Sequence, residues 1–194
     1  MCNLYRLDKA PAAIGALVRA MGRELAFPEG APNLEPRDVR ISEQAAVLRP
    51  GADAGAVELV TRRWSWPGPT GKPVFNFRAE GRRFARAERC VAVADAFYEF
   101  TAPEDPKAKR KDRWRFDWPG QEWFGIAAVL RAEAAVGEAF ALLTCPPGPD
   151  VAPYHGRQVV LLSPPQCLRW LDGEDLGEAL TAPLPGGTLT VRRD

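Results

Sequence analysis

The feature that most limits the fold of this chain is a succession of short β-type runs cut apart by glycine and proline. Val57–Val60, Pro73–Phe77, Val91–Phe100, Trp114–Trp118, Trp123–Leu130, Ala139–Cys145 and Val159–Leu162 each have strand length and strand composition, and Leu189–Val191 is the candidate for a last one. The 17 Gly and 19 Pro of the 194 residues supply the turns between them. Helical spacing is confined to two places. Ile14, Leu17, Val18 and Met21 mark an amphipathic helix over Ala12–Met21, with Gly22 at its end. The second begins at Ser163, an N-cap residue, with Pro164 in the first helical position, and runs through Cys167, Leu168 and Leu171 to Gly173. The expected fold is α+β: a single β-rich domain over residues 1–194, with a curved, barrel-like sheet flanked by a few helices. TAPEDPKAKRKDR, residues 101–113, reads as a polar hairpin loop with a basic tip, and Arg49–Gly55 as another loop.

Composition removes several classes. An apolar fraction of 46% with 26% charged residues is ordinary for a globular protein and excludes disorder, collagen-like repeats and a disulfide-rich mini-protein. Phe124–Leu130, typical of the longest apolar runs, falls far short of the ~20 residues of a membrane span. The opening MCNLYRLDK has no basic region followed by an apolar stretch, so a cytoplasmic, soluble monomer is expected. The net charge of +1 hides an asymmetry: between Arg62 and Arg115 there are 14 Lys+Arg against 7 Asp+Glu, and elsewhere 12 against 18. Such separation points to an anionic partner or, equally, to two solvated faces of opposite sign.

The four cysteines, Cys2, Cys90, Cys145 and Cys167, form no CxxC pair, and His155 is the single histidine. That inventory does not supply a structural zinc site, and neither a metal nor a cofactor is expected. Cys90, Cys145 and Cys167 lie in apolar context and read as buried, inert thiols. Cys2 differs. Removal of the initiator Met would leave an amine and a thiol on adjacent carbons, and an α-amino group with a pKa near ~7.7–8.0 is partly nucleophilic at neutral pH.

Other residues stand out by context. Alternation along Val91–Phe100 puts Glu99 on the face of Val93 and Phe97, where desolvation would raise its pKa and make it a general acid; a bulge near Asp95–Ala96 would instead turn it to solvent. His155 lies in a loop before a strand, with Thr144 and Tyr154 as polar neighbours; it is either catalytic or incidental. Asn76 sits between two Phe residues, and a buried amide needs partners; Arg78 shares its face. Together they could hold an oxygen-rich ligand, or make a cross-strand hydrogen bond beside an exposed Arg. From Arg62 to Arg89, guanidinium groups interleave with Trp64 and Trp66, as in a single-strand binding groove, unless the tryptophans are simply core.

The order Met-Cys, FNFRAE, ERCVAVADAFYEF and YHGRQVVLLSP resembles the SOS response-associated peptidase (SRAP) family, whose members process abasic sites, over Cys2 to about Leu171. The resemblance implies a curved sheet with a basic groove for single-stranded DNA. It implies that Cys2, after Met removal, traps the aldehyde of an abasic site as a thiazolidine. It further assigns Asn76 to orienting the sugar and the cysteine, Glu99 to ring opening and proton transfer, and His155 to the Schiff-base intermediate and crosslink reversal. Arg78 becomes a phosphate contact and Thr144 a residue near the site, with Arg62, Trp64 and Arg157 completing the expected substrate-binding set. Self-removal of the first residue, weak lyase activity and nucleoid association on DNA also follow from it. The chain departs from the family's pattern in starting Met-Cys-Asn-Leu-Tyr, and in GPTGK, which lacks the tryptophans that many members wedge into DNA. Three other readings compete: an N-terminal-cysteine amidotransferase, a peptidase pairing Cys2 with His155, and a non-catalytic nucleic-acid binder.

Overall fold

The computed structural model describes residues 2–53, 55–105, 107–174 and 182–194. Strand β1 (Leu4–Leu7) is followed by helix α1 (Pro11–Ala20), then β2 (Leu25–Ala26), β3 (Arg37–Arg40), β4 (Gln44–Pro50), β5 (Val57–Trp64), β6 (Trp66–Pro67), β7 (Pro73–Val74) and β8 (Asn76–Arg78). A 3-10 turn at Arg86–Glu88 leads into β9 (Arg89–Ala94), β10 (Ala96–Thr101), β11 (Asp112–Asp117), β12 (Phe124–Glu133), β13 (Gly137–Cys145), β14 (Gln158–Val159) and β15 (Leu161–Leu162). Helix α2 (Pro164–Leu171) and β16 (Thr190–Arg193) complete the order. The domain is compact and mostly β, with 42% strand.

Strands β5, β4, β9, β12 and β13 are successive neighbours, and β13 returns to β5 through a parallel pair, Ala139 with Arg63 and Phe140 with Trp64. This closes a five-strand barrel, filled by side chains such as Val47, Val60, Ile126, Phe140 and Leu142. Strands β9 and β12 read as continuous apolar runs because both of their faces are covered. Helix α2 lies on the outside of both, with Trp170 Nε1 donating to the Cys90 carbonyl at 3.0 Å. Its start is a capping box between Ser163 and Gln166 preceding Pro164, as the sequence indicates.

A second sheet, in the order β16-β11-β10-β1-β3, carries the chain's beginning. Strand β1 lies between β10 and β3, pairing Tyr5 with Phe97 and with Val39. The expected single strand Val91–Phe100 is two strands in two sheets, divided at Asp95. The Asp95 N–H donates to the Arg6 carbonyl at 2.8 Å, and its carboxylate accepts from the Asp8 N–H at 2.6 Å, so the break is held by hydrogen bonds. The expected loop at Arg49–Gly55 begins later, because Arg49 and Pro50 end β4 paired with Glu58 and Val57. Among the described residues no helix is long and apolar enough to cross a membrane.

Gly125 is where α2 approaches the barrel most closely. A Cβ there would lie 2.3 Å from Cys167 Sγ and 2.4 Å from Val91 Cγ1. Gly125→Ala should therefore cost about 2–3 kcal/mol by overpacking, measured by urea unfolding, and adding Cys167→Ala should recover part of it.

Candidate functional site

Four segments converge at the end of β10 that carries Glu99. Cys2 precedes β1, and its thiol is 1% exposed and donates to the Leu4 carbonyl at 3.2 Å. Strand β8 lies parallel to β13, pairing Asn76 with Leu142 and Arg78 with Thr144. From there Asn76 Nδ2 donates to the Cys2 carbonyl oxygen at 2.8 Å, across 74 residues of chain. Asn76 Oδ1 is buried and has no hydrogen-bond partner among the described residues, which leaves an acceptor for a donor brought by something else. The amide is thus bound to the terminal segment rather than to a cross-strand neighbour.

Glu99 projects from β10 into the same interior and is 1% exposed. The division at Asp95 does not turn it outward, because β10 keeps alternation from Phe97 to Glu99 and both pair with inward-facing residues of β11. Burial pushes the Glu99 carboxyl up from 4.5 to about 7, against a smaller opposing pull from the positive amino terminus. The Cys2 thiol is pushed up to about 12, chiefly by burial and next by the Glu99 charge, so it is a neutral thiol at physiological pH.

His155 stands in the loop before β14. His155 Nδ1 lies 2.9 Å from the Arg157 carbonyl oxygen, to which it can donate, and 3.0 Å from the Arg157 backbone nitrogen, from which it can accept, so Arg157 orients the ring in either tautomer. Its pKa is lowered, first by burial and then by the charges of the amino terminus and Lys111, which keeps the ring neutral. Arg157 fixes this loop to the barrel. Its Nη2 donates to the Thr144 carbonyl at 2.8 Å and to Thr144 Oγ1 at 3.0 Å, and its guanidinium pairs with Glu80, whose carboxyl is held down at about 2. Thr144 Oγ1 in turn donates to the Phe77 carbonyl at 3.3 Å.

The structure therefore brings together Cys2, Asn76 and Glu99, and places Thr144, Arg157 and His155 on the adjoining strand end and loop. Arg78 is exposed and makes no ion pair among the described residues, as a phosphate contact requires. Three expected contacts need correction, the first being Arg157, whose guanidinium is already held by Glu80 and Thr144. Trp64 is fully buried, donates through Nε1 to the Phe75 carbonyl at 2.9 Å and stacks on Phe140, so no base can reach it. Arg62 pairs with Glu29 and Glu138, and this pairing neutralises its charge. Sequence reasoning missed Glu80, whose pairing with Arg157 spans 77 residues, and Trp114, which lies opposite Glu99. Cys90, Cys145 and Cys167 are buried. Among the described residues no group of three or more His, Cys, Asp or Glu is placed to hold a metal ion.

The sequence model of the family described as SOS response associated peptidase (SRAP) matches residues 1–193, and the chain belongs to that family. No curated protein matches it. Three crystal structures share its fold. A protein from Bordetella bronchiseptica is 20% identical with a TM-score of 0.70, covering 100% of this chain and 99% of its own. A phage-related protein from the same organism is 16% identical with a TM-score of 0.71, covering 100% and 94%. A protein from Bacteroides thetaiotaomicron is 13% identical with a TM-score of 0.69, covering 99% and 91%.

The raised Glu99 pKa has a stability consequence whose sign is fixed. The folded state favours the neutral acid, so the wild-type protein loses stability as pH rises from 4.5 through about 7. Glu99→Gln cannot ionise. Its stability relative to wild type should rise by up to about 3 kcal/mol across that window and stay flat on either side, as followed by denaturant unfolding at several pH values.

Proposed function

We propose that this member of the SRAP family traps abasic sites in single-stranded DNA as a covalent adduct of Cys2, once Met1 has been removed. The observation that carries the reading is the hydrogen bond from Asn76 to the Cys2 carbonyl, which holds the residue beside the buried Glu99. A cysteine meant only for packing has no use for a buried amide that fixes its backbone and keeps an acceptor in reserve.

The chemistry follows from the protonation states. An abasic sugar exists as a closed hemiacetal in equilibrium with an open aldehyde. Opening requires a proton at the ring oxygen and loss of one from the hydroxyl, and a carboxyl with a pKa of about 7 serves both transfers at neutral pH. The Cys2 amine then adds to the aldehyde carbon. The carbinolamine loses water to give an imine, with the protonated Glu99 delivering the proton to the departing hydroxyl and the neutral His155 able to accept the proton released from nitrogen. The thiol sulfur adds to the imine carbon, its proton passes to nitrogen, and a five-membered thiazolidine results. Loss of the proton next to the imine would instead break the strand by β-elimination, the origin of weak lyase activity. Asn76 Oδ1 is available to the sugar hydroxyl or the freed amine, and Arg78 to a phosphate. The peptidase in the family's description corresponds to removal of the chain's own first residue.

This order of events suits the neutral thiol. An amidotransferase or a Cys–His peptidase depends on a thiolate, and burial beside a carboxylate opposes one. Amine-first addition does not need it.

Protein lacking Met1, mixed with single-stranded DNA containing one abasic site, should give a denaturation-resistant product of mass equal to protein plus DNA minus water. Cys2→Ala should give none while still binding DNA; adducts at the wild-type rate in that variant would end the proposal. Arg78→Ala should weaken binding and lower the slope of log affinity against log salt by about 0.7, the share of one phosphate on a single strand. An unchanged slope would remove Arg78 from the phosphate contacts.

A further inference from the structure

At the outer edge of the site, two aromatic rings remain half-buried. Trp114 lies directly opposite Glu99 in the β10–β11 register, so the two side chains are neighbours on one face. Along that face burial falls from the enclosed Glu99 to the partly open Trp114. The Trp114 ring meets Tyr154, the residue before His155, with centroids 4.7 Å apart at 50°. Tyr154 stands edge-on to Phe116 at 5.4 Å, and Phe116 is stacked on Phe97 at 4.7 Å, so the pair rests on a rigid aromatic column. Trp114 Nε1 already donates to Thr101 Oγ1 at 2.9 Å, which fixes the indole and satisfies its polar atom. What the half-buried indole leaves exposed is therefore apolar.

The charge around this pair is positive on balance, although Glu104 and Asp105 are exposed on the same hairpin. Lys107, Lys109, Arg110 and Lys111 are exposed at the tip of the same β10–β11 hairpin, and none makes an ion pair among the described residues. Lys111 is near enough to His155 to act on it electrostatically. A flat apolar surface flanked by free cations matches a ligand that is both flat and polyanionic, which is a single nucleic-acid strand with its bases unpaired.

We propose that Trp114, backed by Tyr154, is a stacking subsite for the nucleobase next to the reacting sugar, with the basic hairpin tip holding the adjoining phosphates. The proposal rests on the abasic-site reading of the site and adds that recognition extends to a neighbouring base.

The experiment compares two single-stranded oligonucleotides, one with ordinary bases flanking the abasic site and one with base-free tetrahydrofuran spacers there. Wild-type protein lacking Met1 should form adduct about tenfold faster, at subsaturating DNA, with the base-flanked strand. Trp114→Leu should bring that ratio close to one, and Trp114→Phe should keep most of it. A wild-type ratio in Trp114→Leu would overturn the proposal. A second readout needs no variant: 2-aminopurine beside an unreactive tetrahydrofuran site should lose fluorescence when the wild-type protein binds, as stacking requires, and a gain would overturn the proposal. Quenching without any adduct on the reactive strand would keep the subsite and end the abasic-site chemistry. Adducts with no dependence on the flanking base would do the reverse.

Discussion

The parallel pairing of β13 with β5 is the contact on which the rest of the arrangement depends. Antiparallel neighbours alone would give an open sheet from β5 to β13; joining its ends makes a barrel with no free edge along those strands. Beyond Phe140, β13 runs on past β5 and takes β8 as its next parallel partner, which sets Asn76 against Leu142. The same strand receives β14 at Thr144, which brings in the loop that carries His155 and Arg157. One strand thus positions the amide, the hydroxyl and the imidazole loop, while β10, arriving from the other sheet, supplies the carboxyl.

The fold is also a means of desolvation. Carboxyl and thiol are both buried, and each is neutral over part of the physiological range for the same reason, the cost of a charge away from water. The surrounding arginines do not relieve this. Arg157 is given to Glu80 and Arg62 to Glu29 and Glu138, so the cations nearest the barrel are used to tie loops and strands together. Unneutralised positive charge near the site is left outside, at Arg78 and on the β10–β11 hairpin. On the proposed reading this separation divides the work: proton transfer falls to neutral groups inside, and attraction of an anion to free cations outside.

Much of this was legible in the sequence, and the limits have identifiable causes. Local signals were reliable where local chemistry decides the outcome, as at the Ser163–Pro164 helix start and in the strands β11 to β13. Asn76 was visible because an amide between two Phe residues is hard to reconcile with packing, and Glu99 because alternation survives the division at Asp95. Strand β4 was not visible: QAAVLRP is rich in alanine, which strands disfavour, and its ends are charged or proline. Strand β3, RDVR, is a mostly polar edge. Strand β1 is four residues with an arginine inside it, and only the gap between β10 and β3 makes it a strand. Arg62, Trp64 and Arg157 looked like ligand contacts because their partners are 33 to 77 residues distant or lie across the barrel seam, where no window along the chain can see them.

An arginine beside a motif invites assignment to a phosphate, yet a guanidinium already held by a carboxylate and a carbonyl would have to give up both before binding one. Exposure and the absence of a partner therefore separate the cations far better than proximity to the motif does. By that criterion, Arg78 and the lysines of the hairpin are the contacts available to the proposed strand, while Arg157 is occupied in holding the His155 loop to the barrel. The same reasoning distinguishes the tryptophans. Of Trp64 and Trp114, only Trp114 remains partly exposed, because it sits on β11 of the second sheet instead of at the barrel seam.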